Sequence, residues 1–198
     1  RIMGVLIGRR GFLALGGAAV ASSTLTACLG SVTENELTAE VFRRGGGFTD
    51  QSIVDALARF AEHAGYADVK KLRLRSLSLT SIHAVNAEVS FASNPDECDL
   101  VSWDGRGLWT SPSNTEPSPY FLPADVPAMI RDPRAMFLAL AERVGEPAES
   151  FSLTASLSGT GGGSGDRVVP SLAGAASTGR STVNMSFDPA TGAGIGVG

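Results

Sequence analysis

Two stretches of the chain place apolar residues at helical spacing, and much of the rest alternates apolar with polar positions. In the first stretch Ile53, Leu57, Phe60, Ala61 and Ala64 fall on one face of a helix. Thr49 or Asp50 can cap its start, and Gly65 supplies a C-terminal stop. In the second stretch Met136, Phe137, Leu140, Ala141 and Val144 make the apolar face. Asp132 can cap this helix, Pro133 suits its first position, and Gly145 ends it.

Strand patterns follow each helix. Leu72 and Leu74 alternate with Lys71, Arg73 and Arg75, and then Leu77 and Leu79 continue in the opposite parity. A bulge near Arg75-Ser76 reconciles the two halves. Val85, Ala87, Val89 and Phe91 alternate with Asn86, Glu88 and Ser90, the pattern of a half-buried strand. Asn94-Pro95-Asp96 reads as a turn, Leu100 to Trp103 as a strand, and Asp104-Gly105 as a hairpin turn to Leu108-Trp109. After the second helix Phe151, Leu153, Ala155 and Leu157 alternate with Ser and Thr, and Thr160 to Gly165 reads as a flexible loop. Val183, Met185 and Phe187 alternate again, and Asp188-Pro189-Ala190-Thr191-Gly192 is a turn before a last short strand.

The two halves look alike. Phe60-Ala61-Glu62-His63-Ala64-Gly65 aligns with Leu140-Ala141-Glu142-Arg143-Val144-Gly145, and Ser102-Trp103-Asp104 with Ser186-Phe187-Asp188. The expected fold is therefore α+β, with two αβββ units, each a helix packed on an antiparallel sheet. The units span 49–110 and 132–198, joined by a Pro/Ser-rich linker over 111–131. Residues 28–48 read as a polar tether ending in Gly45-Gly46-Gly47.

Residues 1–27 have the layout of a signal peptide: a basic segment to Arg10, an apolar stretch from Gly11 to Val20, then small residues. The apolar stretch is too short and too rich in Gly and Ala to span a bilayer permanently. Leu25-Thr26-Ala27-Cys28 resembles the bacterial lipobox, whose cysteine thiol takes a diacylglycerol. Arg9, Arg10, Phe12 and Leu13 sit as in the twin-arginine export motif, which the segment resembles, with Gly8 and Ala14 departing from it. The resemblance implies a chain anchored through Cys28 at the extracytoplasmic face of the cell membrane. Two or three acyl chains anchor stably, at roughly 0.8 kcal/mol per buried CH2.

A helix followed by an antiparallel meander, closing with an aromatic residue, Asp and a Gly-containing turn, resembles the PepSY-like αβββ module. Tandem copies behind a lipobox look like a group of small actinobacterial lipoproteins. Tyr120 to Ile130 is similar to the inter-repeat region of that group, and Asp188-Pro189-Ala190-Thr191-Gly192 to the module's closing turn. The resemblance implies a non-enzymatic binding or regulatory domain of the cell envelope. A second resemblance is to the mycobacterial half-barrel lipoproteins, and it implies a carrier of a lipid or small apolar ligand. Such a carrier needs a wide sheet lined with apolar side chains and covered by helices.

Charge narrows the partners. Removing the leader's Arg1, Arg9 and Arg10 from the sixteen basic residues leaves thirteen against twenty acidic ones, a balance of −7. With no basic block, the chain is a poor nucleic-acid binder. The expected partners are the membrane, through the N-terminal lipid, and an envelope protein or apolar ligand. With Cys28 lipidated, Cys98 has no cysteine to pair with.

No catalytic, cofactor-binding or metal site is expected. His63 and His83 read as surface residues without a second ligand at metal spacing. Asp96-Glu97-Cys98-Asp99 lacks a calcium-loop pattern and reads as a solvated hairpin, and its carboxylates disfavour a reactive Cys98 thiolate. Gly159 to Gly165 lacks the lysine of a phosphate loop. Gly192-Ala193-Gly194-Ile195-Gly196 has no helix after it to cradle a dinucleotide. Lys70, Lys71, Arg73 and Arg75 read as a solvated basic stripe. Of Trp103 and Trp109, one reads as core and the other as an exposed contact residue.

Overall fold

A computed structural model describes residues 50–80, 84–113, 116–144, 148, 150–157 and 162–196. Helix α1 (Asp50–His63) buries Ile53, Ala56, Leu57, Phe60 and Ala61 on one face. It ends as its sequence dictates. Gly65 takes a φ of +79°, and the Tyr66 and Gly65 N–H groups close back on the carbonyls of Ala61 and Glu62. A short 3-10 turn (Val69–Lys71), capped by the Asp68 carboxylate, leads into the first strand.

Four strands follow as a meander: β1 (Leu74–Thr80), β2 (Ala84–Ser90), β3 (Cys98–Trp103) and β4 (Leu108–Pro112). A second 3-10 turn (Pro123–Asp125) precedes helices α2 (Pro127–Arg131) and α3 (Pro133–Val144). The second meander is β5 (Ser150–Ser156), β6 (Ser171–Ser177), β7 (Thr182–Phe187) and β8 (Gly194–Gly196).

The expectation of two αβββ units fails here. All eight strands belong to one antiparallel sheet, ordered β4-β3-β2-β1-β5-β6-β7-β8. The first strand of each meander pairs with the other, Leu77 opposite Ala155 and Leu79 opposite Leu153. That pairing fuses the inner faces of both meanders into one apolar surface. Helix α3 packs on β5, β6 and β7, while α1 packs on β2 and against α2. One core results, holding Phe60, Phe121, Leu77, Leu79, Leu140, Leu153 and Phe187 together. Each such side chain contributes about 1.5–3 kcal/mol on burial. All described residues lie in a single compact unit.

The Pro-rich stretch read as a linker is packed rather than loose. Phe121, Val126 and Met129 are buried, and Phe121 exchanges backbone hydrogen bonds with Leu74. Two of its prolines, Pro123 and Pro127, initiate short helices instead of breaking structure, since they stand at first positions. Asp132 caps α3 as expected, accepting from the Ala135 N–H at 3.1 Å. The expected bulge is also present, as a register shift between Leu74 and Ser76. Strand β6 had no expected counterpart. The sheet edges are β4, which ends at Pro112, and the three-residue β8, both poor templates for further strand pairing.

Candidate binding faces

Strand alternation gives the sheet two unlike faces. The helix-covered face carries Leu77, Val85, Ala87, Val89 and Val101 in the core. The opposite face carries Ser76, Ser78, Asn86, Glu88, Leu100 and Ser102 on the first meander. It continues through Ser152, Thr154, Ala173, Asn184 and Ser186 on the second. Apart from Glu88 these residues are uncharged. Trp109 of β4 stands opposite Ser102 and is 56% exposed, and the nearby Leu100 is 50% exposed. Between them and β1 lies a hollow of about 350 Å³, lined by Ser76, Ser78, Asn86 and Ser111 as well as the indole. An indole face beside hydroxyl and amide groups suits a neutral partner with both apolar and hydrogen-bonding edges.

Glu88 closes one end of this face. Its Oε1 accepts from the Cys98 thiol at 3.1 Å and the Ser113 hydroxyl at 2.9 Å. The Cys98 thiol is buried. The acidic run around it does not converge. Asp96 and Glu97 are exposed, while Asp99 meets His63 Nε2 at 2.8 Å. Among the described residues no group of three or more His, Cys, Asp or Glu side chains is placed to hold a metal ion.

His63 is therefore no simple surface residue. It is half-buried, packs its ring 5.7 Å from Phe91, and ties the end of α1 to β3. His83 lies outside the described residues.

The basic stripe is also broken up. Lys70 and Lys71 are exposed on the 3-10 turn, and Arg73 lays its guanidinium 4.3 Å from the centre of the Tyr120 ring. Arg75 is only 6% exposed and stands at the bulge. Its Nη2 donates to the Pro95 and Asp96 carbonyls, while Nε and Nη1 find no partner among the described residues. Trp103 is half-buried with Arg59 5.8 Å away over its ring, so Trp109 is the exposed tryptophan.

A second concavity lies on the helix side. Val54, Ala58, Val69 and Ile130 line an apolar groove of about 380 Å³ between α1, the 3-10 turns and α2, with Lys70 and Arg131 at its rim. Apolar spacing alone did not flag it, because Val54 points away from the core face of α1 and is 46% exposed.

Three carboxylates have structural roles. Asp125 accepts from Arg167 Nε at 3.0 Å, Arg167 Nη2 at 2.7 Å and the Leu122 N–H at 2.8 Å. Burial raises the Asp125 pKa, but these bonds and the Arg167 charge outweigh it and hold the carboxyl below its ordinary range. Asp104 and Asp188 are held low by N–H donors of their own turns, Gly107 and Arg106 for the first, Thr191 and Ala190 for the second.

The lipobox residues Leu25, Thr26, Ala27 and Cys28 and the export-motif residues Arg9, Arg10, Phe12 and Leu13 lie outside the described residues. So do Thr49 and Gly145. Among the described residues no helix is long and apolar enough to cross a membrane. No protein-family model, curated protein or solved structure matches the chain.

Proposed function

We propose that this chain is an exported lipoprotein, anchored through Cys28 at the extracytoplasmic face of the cell membrane. Its folded part acts as a non-catalytic binding or regulatory module of the cell envelope. The observation that carries the binding role is the outer sheet face, uncharged save for Glu88, with exposed Trp109 beside a hydroxyl-lined hollow. Its chemistry favours a neutral, hydroxyl-bearing partner such as a wall glycan.

The carrier is the second reading. The single wide sheet covered by helices on its apolar face is the frame such a protein needs. Against it, Phe60, Phe121, Phe187 and their neighbours fill the space under the helices.

Two measurements test the proposal. The first is the mass of the membrane-extracted N-terminal peptide of the wild type and of Cys28→Ala. A diacylglyceryl mass on Cys28 that disappears in the variant supports the anchor. An unlipidated chain cut elsewhere, or one still carrying residues 1–27, overturns it. The second is the fluorescence of Trp109 in a Trp103→Phe chain titrated with soluble wall-glycan fragments. A saturable change supports the binding face, and a flat response removes the glycan as its partner. Acyl chains co-purifying with the protein at one per chain favour the carrier.

A further inference from the structure

The groove between α1 and α2 combines two features that seldom coincide on a protein otherwise short of basic groups. Its walls are apolar, from Val54, Ala58, Val69 and Ile130, and its rim carries Lys70 and Arg131. Both cations are exposed, and among the described residues neither pairs with a carboxylate. The nearest acids in sequence keep their charge, but each accepts from a neutral N–H rather than from a rim cation. Asp68 accepts from the Lys70 N–H, Asp55 from Gln51 Nε2, and Asp132 from the Ala135 N–H.

We infer that this groove is a membrane-docking surface, which seats against a bilayer of anionic phospholipid and takes acyl-chain surface between its walls. Apolar walls alone would suit many partners. The two rim cations select an anionic one, because a negatively charged leaflet attracts each nearby Lys or Arg by about a fivefold gain in partition. The snorkelling reach of Lys and Arg lets the charges stay with headgroups while their stems and the groove walls meet hydrocarbon.

Position in the chain supports the same occupant. The groove begins at Val54, one helical turn into α1, and only residues 29–49 separate α1 from Cys28. Those 21 residues span at most about 70 Å when fully extended. Any N-terminal hold on the membrane therefore keeps the groove at high effective concentration near the bilayer. The outer sheet face, with Trp109, would then point away from the membrane, toward the envelope. The inference takes from the proposed anchor only this proximity; the groove walls and the rim cations stand without it.

The test uses tryptophan quenching by brominated lipids in the full chain. Trp103 and Trp109 become Phe, and Ala124→Trp places a single reporter on the groove wall. Ala58→Trp is the second reporter if the first fails to fold by circular dichroism. The Trp103→Phe chain, reporting from Trp109 on the opposite face, is the control. Vesicles contain brominated phosphatidylglycerol or brominated phosphatidylcholine at low salt.

The expected result is quenching of the groove reporter by the anionic vesicles, well above that of Trp109. Lys70→Glu with Arg131→Glu should weaken that partition at least 25-fold, at about fivefold per cation. Equal quenching by both lipids would overturn the charge selection. Absence of groove quenching, or stronger quenching of Trp109 than of the groove, would overturn the docking surface. Both outcomes leave the Cys28 mass measurement untouched, so failure here is distinct from failure of the anchor.

Discussion

Asp104 and Asp188 hold equivalent turns on opposite flanks of the sheet, each directly after the third strand of its meander. Asp104 Oδ1 accepts from the Arg106 and Gly107 N–H groups at 2.8 and 2.9 Å. Asp188 Oδ1 accepts from the Ala190 and Thr191 N–H groups at 2.9 and 2.8 Å, and from the Thr191 hydroxyl at 3.0 Å. Each turn contains a left-handed glycine, Gly105 directly after Asp104 at φ +86° and Gly192 at the end of the second turn at φ +75°. The matching tripeptides Ser102-Trp103-Asp104 and Ser186-Phe187-Asp188 thus stand at corresponding corners of the two meanders.

These carboxylates give stability a defined pH dependence. Both have folded pKa values lowered by their N–H donors. Their contribution is fully present above the unfolded carboxyl value, about 4. It is lost as pH falls through the lower folded values. The double variant Asp104→Asn, Asp188→Asn keeps an oxygen acceptor but cannot titrate. Thermal midpoints measured from pH 6 to pH 2 should show a shallower acid limb in the variant. An unchanged limb would assign acid sensitivity to other groups, Asp125 first among them.

Gly174 sets how closely α3 lies on the sheet. A Cβ at this position would stand 2.6 Å from Leu140 Cδ1 and 2.9 Å from both Leu153 Cδ2 and Phe187 Cε2. Gly174→Ala should cost about 1–3 kcal/mol by overpacking. Leu140→Ala alone should cost about 2–5 kcal/mol. Because the first change fills space the second vacates, the double variant should cost less than the sum. Additive losses in chemical denaturation would show that α3 simply shifts away.

The same contact explains what sequence reading could and could not reach. Strand β6, Ser-Leu-Ala-Gly-Ala-Ala-Ser, has little intrinsic strand preference and weak apolar contrast. It is a strand because β5 and β7 pair with it on both sides and α3 presses on Gly174. Where alternation is strong, as in Val85 to Val89, or a cap is chemically specific, as at Gly65 and Asp132, local chemistry is decisive and the element is legible. The joining of the meanders is not, because the Leu79–Leu153 pairing is a long-range contact that no local pattern encodes. The same holds for Arg75, whose bonds to the Pro95 and Asp96 carbonyls depend on the turn between β2 and β3 folding over it. Of the candidate sites, exposure of one tryptophan is readable, but the groove depends on four separate elements meeting.

The Asp125–Arg167 pair should hold the 162–170 loop to the second 3-10 turn. Its two parallel bonds favour it, but Arg167 is half exposed and screening reduces its worth. A double-mutant cycle with Asp125→Ala and Arg167→Ala should give a small favourable coupling, the two single losses adding to more than the double loss. The Asp125 change should be the costlier single substitution, because it also frees the Leu122 N–H. Equal single losses would show that the Leu122 bond adds nothing.

Trp109 and Trp103 separate binding from stability. Trp109 is more than half exposed on β4, so its indole contributes little to the core. Trp103 lies half-buried on the helix side and packs against the core cluster. Trp109→Ala should leave the unfolding free energy within about 0.5 kcal/mol of the wild type, as for most surface substitutions. Trp103→Ala should cost about 3 kcal/mol, the lower end for a core tryptophan. A natural surface that keeps a large exposed aromatic on an uncharged face, at no gain in stability, keeps it for contact. Urea denaturation of both variants decides the point. A loss above 2 kcal/mol for Trp109→Ala would make the indole a structural group and remove the main reason to regard the outer face as a binding surface.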